Sequence, residues 1–306
     1  MNAAASVPGQ ALRESDRAAL RLLVGEAVRF DEPMAPKTSM RVGGSAAAYV
    51  TLGETDRLVA LLKYCTQERL AWTVLGLGSN VVVKDEGFPG IIVRLQGGFT
   101  RVEVRGTTVR AGGAAPIAAV CREAAKAGLE GAEALVGIPG TIGGAVRMNA
   151  GTKVEIGELV RSVELVVAGE DVRTMTLPAF QYRSSNLDRS AVVCAAELAL
   201  HAGDRQAVQA RLREHIARRN ATQPLELPNS GSVFRNPPDD FAARLIEASG
   251  CKGMRAGAAE VSTKHANFIV NRGGATCAEV VQLMTRVQKT VKAATGVELE
   301  PEIQIL

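Results

Sequence analysis

The segment GIPGTIGGAVRMNAG, Gly137 to Gly151, carries five glycines and no acidic residue. Backbone without β-carbons can turn successive N–H groups onto an anion and lets a pyrophosphate come close. GLGSN, at Gly76–Asn80, is a second and tighter turn of this kind, placed directly after an apolar run. A third glycine pair, Gly43–Gly44, precedes another apolar run. No GK[ST] follows either loop, and GxGxxG is absent from a strand-to-helix junction, which excludes the P-loop and the Rossmann fingerprint. The pattern fits a dinucleotide held lengthwise between lobes, against the plainer alternative of ordinary turns.

The elements that must hold these loops follow from length and periodicity. A chain of 306 residues exceeds the size at which one core usually stops growing, so at least two domains are expected. Residues 1–24 read as a helical or loosely ordered extension, 25–203 as a two-lobed first domain and 204–306 as a second domain. Thr55–Asp56 opens an amphipathic helix, DRLVALLKYCTQERL, followed by strands around GLGSN and at Ile91–Leu95. Pro116 starts a helix that stops at Gly128, where a left-handed residue commonly ends one. ELVRSVELVVAGEDVRTMTL reads as two strands about a Gly-Glu-Asp turn, and DRQAVQARLREHIARRN as a boundary helix. Beyond it lie a helix capped by Asp239–Asp240 and ended by Gly250, a strand NFIVN, and a long helix opened by the capping box Thr276-x-x-Glu279. VELEPEIQIL reads as a closing strand.

The net charge of +4 is mild and the basic residues are scattered, which argues against a nucleic-acid partner. The five cysteines, at 65, 121, 194, 251 and 277, lack metal or redox spacing and read as reduced structural thiols. No apolar run approaches the ~18 residues of a membrane span, and no signal-like segment opens the chain, so a cytoplasmic protein is expected.

Seven motifs, KTSMRVGGSA, LGLGSNVVVKDEGFPG, GIPGTIGGAVRMNAG, QYRSS, GSVFRNP, KHANFIVN and LEPEI, stand in this order along residues 36–306. Together they resemble the UDP-N-acetylenolpyruvoylglucosamine reductases of bacterial peptidoglycan synthesis, specifically their shorter, second subgroup. The resemblance implies an α+β fold: a two-lobed FAD-binding domain of the vanillyl-alcohol-oxidase or p-cresol-methylhydroxylase type, followed by a smaller substrate-binding domain. It implies FAD as cofactor, NADPH as hydride donor and UDP-N-acetylglucosamine enolpyruvate as substrate, in a protein expected to work as a monomer. Gly76, Gly78, Ser79, Asn80, Pro139, Gly140, Thr141, Gly143, Gly144, Ala145, Asn149 and Gly151 then become the FAD contacts. Arg183 matches the active-site arginine, Ser232 the proton-donating serine and Glu302 the catalytic glutamate. Arg235 and Asn236 match positions expected to face the nucleotide sugar.

Reducing an enolpyruvyl ether adds hydride to one alkene carbon and a proton to the other, so negative charge develops toward the carboxylate. Arg183 supplies a planar clamp for that charge, and Glu302 completes the hydrogen-bonding set as acid or orienting group. A serine hydroxyl is a weak acid and suffices only against a strongly basic carbanion-like centre within hydrogen-bond reach, the role of Ser232. The first 200 residues contain no histidine, so FAD is expected to be noncovalent, with Cys121 as the remaining conceivable tether. His265 reads as a packing residue. The tyrosine-bearing insertion of the longer subgroup is missing after Arg183, and Tyr182 is not its counterpart. Glu302 lies only four residues before Leu306, so its position is expected to depend on an unanchored end. An FAD oxidase on the same cofactor domain is the rival reading, and GSVFRNP and LEPEI argue against it. A non-catalytic FAD or UDP-sugar binding module is disfavoured by the intact trio.

Overall fold

A computed structural model describes residues 6–306; the first five residues of the expected extension lie outside the described residues. The first lobe runs through β1 (Ser6–Val7), α1 (Glu14–Val24), β2 (Val28–Pro33), β3 (Ser45–Leu52), α2 (Thr55–Gln67), β4 (Trp72–Val74), β5 (Val81–Val82) and β6 (Phe88–Leu95). Its sheet has the order β1-β4-β6-β3-β2, with β6 parallel to both β3 and β4. Leu58, Leu61, Leu62 and Cys65 recur at i, i+3, i+4 and i+7 on α2, and all four are buried against Ile91 and Val93 of β6. Each such leucine contributes ~1.5–3 kcal/mol of burial. Leu20 and Val24 of α1 join the same core and β1 pairs with the β4 edge, so residues 6–24 are built into this lobe.

The second lobe contains β7 (Val102–Arg105), β8 (Thr108–Gly112), α3 (Ile117–Lys126), β9 (Leu129–Glu130), α4 (Ile142–Met148), α5 (Ile156–Leu159), β10 (Val160–Val167) and β11 (Val172–Thr176). It continues with β12 (Phe180–Gln181), β13 (Ser184–Ser185), β14 (Ala191–Ala199), β15 (His201–Ala202) and α6 (Arg205–Thr222). The antiparallel sheet β11-β10-β14-β8-β7 carries α3 and α4. As read from the sequence, α3 follows Pro116, and Gly128 has φ +71° just past its end. The boundary helix α6 sends its buried Val208 and Leu212 into this lobe's core, and Arg211 ties it to Glu130 and Glu133. It therefore packs with the first domain although its sequence falls after residue 204.

The third unit holds β16 (Asn229–Ser232), α7 (Ala242–Ala248), β17 (Arg255–Ala256), β18 (Ala259–Val261), β19 (Phe268–Asn271), α8 (Cys277–Thr295) and β20 (Gln304–Ile305). The sheet β16-β19-β18-β17 is covered by α7 and α8, whose apolar faces form one core with it. The capping box at α8 is present: Glu279 N donates to Thr276 Oγ1 at 3.1 Å and Thr276 N to Glu279 Oε2 at 3.1 Å. Two expected caps move by a residue or two, with Glu54 at the start of α2 and Phe241 at the start of α7.

The closing strand is corrected more substantially. Only Gln304 and Ile305 are strand, and they pair in parallel with Val81 and Val82 of the first lobe. Lys84 N donates to Leu306 O at 2.8 Å, and Leu306 is buried. The end expected to be unanchored is stitched into the lobe that carries GLGSN. Among the described residues no helix is long and apolar enough to cross a membrane.

Candidate active site

The two glycine loops face each other across one cleft. Ser79 Oγ donates to Pro139 O at 2.8 Å, and a β-carbon on Gly76 would stand 2.8 Å from Thr141 Oγ1. None of the five amides of Gly76–Asn80 donates to a backbone carbonyl among the described residues, nor do those of Gly140 and Thr141. Backbone donors left without partners in a folded protein call for a ligand or water. Gly78 holds φ +64°, and a β-carbon there would lie 2.7 Å from both Lys37 O and Thr38 Cα.

Segment 137–151 is not one loop. It is a turn at 138–141 followed by two turns of helix, α4, capped at its end by Asn149 in a left-handed conformation with φ 44°. Within α4 the two glycines have different tasks. Gly143 lies against the strand carbonyls of Gly113 and Val193 and donates its N–H to Gly113 O at 2.8 Å, whereas Gly144 opens onto empty space in the cleft. Of the expected FAD contacts, Gly76, Gly78, Ser79, Asn80, Pro139, Gly140, Thr141, Gly144, Ala145 and Gly151 line the cleft. Gly143 and Asn149 do not. Asn149 is 2 % exposed, and its amide is spent on Glu155, on Gln181 O and on the N–H of Gly157. Asn80 has a structural task beside any ligand: its Nδ2 donates to Glu302 O at 3.2 Å, and Gln304 N donates to its carbonyl.

Arg183, Ser232 and Glu302 line the same cleft, which has an empty volume of about 1410 Å³. Arg183 sits in the β12–β13 hairpin at φ 55°, so its side chain leaves the turn toward the cleft. Its Nε donates to Glu302 Oε1 at 3.0 Å and its Nη2 to Gly151 O at 3.0 Å, with Glu155 3.8 Å from Nη1. The Tyr182 ring stacks on the guanidinium at 4.9 Å. The clamp foreseen for a substrate carboxylate is thus already drawn toward Glu302 and Gly151 O, which leaves Nη1, without a hydrogen bond to another described residue, as the nitrogen best able to turn to a ligand. Glu302 N donates to Val233 O at 2.8 Å, which sets its carboxylate beside the strand bearing Ser232. The hydroxyl of Ser232 makes no hydrogen bond to another described residue.

Two family models match separate parts of the chain. Residues 46–176 match the "FAD binding domain" family, and 223–306 match "UDP-N-acetylenolpyruvoylglucosamine reductase, C-terminal domain". A reductase of that name from Symbiobacterium thermophilum is 44% identical over 282 residues, covering 91% of this chain and 92% of the relative. The chain belongs to the UDP-N-acetylenolpyruvoylglucosamine reductase family. The Myxococcus xanthus reductase is 43% identical with 93% and 94% coverage. The crystal structure of the Thermus caldophilus reductase superposes with TM-score 0.79 at 34% identity, covering 91% of this chain and 97% of that one. Like that family, the chain is an FAD-dependent oxidoreductase with an FAD-binding domain and a reductase C-terminal domain.

The residues present fit a reductase's flavin. Unpaired amides at 76–80 and 140–141 suit a pyrophosphate, and the gap over Gly144 leaves room beside the backbone. Cys121 is excluded as a tether by its place: it is 2 % exposed in the second lobe's core, donates to Ala132 O, and its thiol is pushed up to about 12 by burial. All five cysteines are free and buried. Arg235 and Asn236 lie off the main cleft, around a neighbouring cavity with Tyr182 and Glu300. Asn236 Oδ1 accepts from Ala242 N at 3.1 Å, so the residue shapes the start of α7. The cleft also contains Ser230, Arg219, Gln223 and Gln304, which the motifs did not single out. Ser230 Oγ is buried without a partner among the described residues, and its place one residue before Gly231-Ser232 was the available clue.

Two expectations follow. Gly78→Ala brings a β-carbon into carbonyl contact at a positive φ, so FAD affinity, read by flavin fluorescence titration, falls at least about tenfold. Burial pushes the Glu302 carboxyl above its ordinary 4.5, although Arg183 and then Arg235 pull the other way. As pH rises above 4.5, the unfolded chain therefore loses this proton before the folded one does, and the stability contributed by the group is lost through the folded value. Urea midpoints of wild type should fall relative to Glu302→Gln across that window; parallel curves would contradict the raised value.

Proposed function

We propose that the chain reduces the enolpyruvyl ether of UDP-N-acetylglucosamine enolpyruvate to the lactyl ether of UDP-N-acetylmuramate, a step of peptidoglycan precursor synthesis, with NADPH as donor and Ser232 as proton source. The observation that carries this reading is the meeting, in one cleft, of unpaired backbone amides on one side and Arg183, Glu302 and an unbonded Ser232 hydroxyl on the other. Bound FAD would supply reversible two-electron hydride chemistry, which lets two reactants use one position in turn.

This chain's own groups do the rest. Conjugate addition of hydride at the terminal alkene carbon breaks the π bond and drives its electron pair to the carbon bearing the carboxylate. Arg183 turns its Nη edge to the growing enolate charge, in a cleft where low polarity strengthens the attraction. Glu302 holds Arg183 through Nε and, with its raised pKa, offers a carboxyl that orients or protonates the enolate. Ser232 passes its proton to the α-carbon, and its alkoxide regains one from solvent. The flavin is held without a covalent bond, and one chain supplies every group named, so a monomer suffices.

Steady-state NADPH oxidation that starts only on adding the enolpyruvyl nucleotide sugar, with UDP-N-acetylmuramate as product by mass, is the expected result. Oxygen consumption with a sugar alcohol, and no enolpyruvate-dependent NADPH oxidation, would favour an oxidase instead.

A further inference from the structure

Beside the mouth of the cleft, the C-terminal half of α6 and the loop after Gly151 enclose a second cavity with an empty volume of about 690 Å³. It shares Gly137, Thr152, Arg219 and Gln223 with the main cleft, so the two are continuous. Lys153, His215, Arg218 and Arg219 all line it, and no acidic residue does. Among the described residues none of the four takes part in an ion pair, whereas Arg17, Arg110, Arg183 and Arg211 all do. Glu214 is a helical turn before Arg218, the spacing at which a pair commonly forms, yet no such pair is made.

Arg219 is the telling member. Its guanidinium is half-buried at the junction of the two cavities, and its one side-chain bond among the described residues is a 3.3 Å contact from Nε to Gln223 Oε1. Burial pulls its pKa below the ordinary value with no carboxylate to offset the cost. A partly buried cation without a counter-charge is unfavourable unless a ligand brings one. The open amides at 76–80 and 140–141 already offer the FAD pyrophosphate a neutral cradle. The Lys153, Arg218 and Arg219 cations, with the His215 ring beside them, instead match a phosphomonoester, which carries close to two charges and three acceptor oxygens.

We propose that Lys153, His215, Arg218 and Arg219 form a phosphomonoester site that receives the 2′-phosphate of the pyridine dinucleotide and so selects NADPH over NADH. The assignment rests on the reading of NADPH as donor. It makes α6, sequence outside both matched family regions, a determinant of donor choice.

The test uses the FAD-loaded protein, with Lys153→Ala and Arg218→Ala, alone and combined; both side chains are exposed, so folding is not at stake. Calorimetry with adenosine 2′,5′-bisphosphate, and with adenosine 5′-monophosphate as control, reads the site without turnover. Wild type should bind the bisphosphate more tightly, by at least about tenfold, and the double variant should lose that advantage. In anaerobic flavin reduction, the apparent Kd for NADPH should rise about tenfold per cation removed while that for NADH stays put. Equal weakening of NADPH and NADH, or no change in either, would overturn the proposal. A rise in KM for the nucleotide sugar alone would assign the cations to its diphosphate and overturn it too. If wild type binds the bisphosphate but NADPH never bleaches its flavin, the donor reading fails while the phosphate site stands.

Discussion

Ser232→Ala is expected to leave flavin reduction by NADPH within about twofold of wild type and to slow reoxidation by the enolpyruvyl substrate ~10²–10⁴-fold, the usual contribution of a positioned acid. The asymmetry follows from placement. Ser232 ends β16 in pairing with Phe268, at a bulge after Gly231, and its hydroxyl has no partner to lose among the described residues. Removing it costs the fold little, so thermal stability should stay close to wild type. Only the step that needs a proton on carbon should suffer. Equal loss in the two half-reactions would mean that Ser232 shapes the flavin site and is not the acid.

Arg183→Ala should be the more damaging change, for two reasons that act together. It removes the cation facing the enolate, worth ~10²–10³ in rate for a preorganised donor of this kind. It also strips the Glu302 carboxylate of the one side-chain hydrogen bond it makes among the described residues, which leaves a carboxyl already pushed up by burial to take a proton and turn neutral. The reoxidation rate should therefore fall further than in Glu302→Gln, where Gly151 O and Glu155 still hold the guanidinium. Arg183→Lys should recover little, because an ammonium cannot span Gly151 O, Glu302 and a substrate carboxylate from one planar fork. Single-turnover absorbance at the flavin band separates these outcomes. Full rescue by lysine would show that charge alone, not the fork, is what the site requires.

The parts of this molecule legible in the sequence are those governed by local rules. Pro116 and Gly128 bracket α3, Thr276 and Glu279 box the start of α8, and the leucines of α2 mark its buried face. Arg183, Ser232 and Glu302 were legible through short motifs whose spacing a family shares, and the structure brings the three into one cleft.

The misreadings have non-local causes. Two adjacent glycines disfavour helix by ~1 kcal/mol each, so 137–151 read as loop; α4 forms because Gly143 must lie flush against Gly113 and Val193, where a side chain would not fit. Asn149 resembled a ligand contact because nothing in the sequence shows that Glu155, Gln181 and Gly157 converge on it. The end after Glu302 looked loose because its partner strand, β5, comes from the far lobe. That pairing carries a consequence for the chemistry. Asn80 Nδ2 donates to Glu302 O and Gln304 N donates to Asn80 O across the junction, so the GLGSN loop and the backbone at Glu302 are held directly to one another.

The most direct test of the central claim is an anaerobic stopped-flow record of the FAD-loaded protein through two mixings. NADPH should bleach the flavin in the first. UDP-N-acetylglucosamine enolpyruvate should restore its colour in the second, one equivalent per flavin, with UDP-N-acetylmuramate recovered in the same amount. A reduced flavin that persists in the presence of the nucleotide sugar and reoxidises only on admitting oxygen would contradict the account.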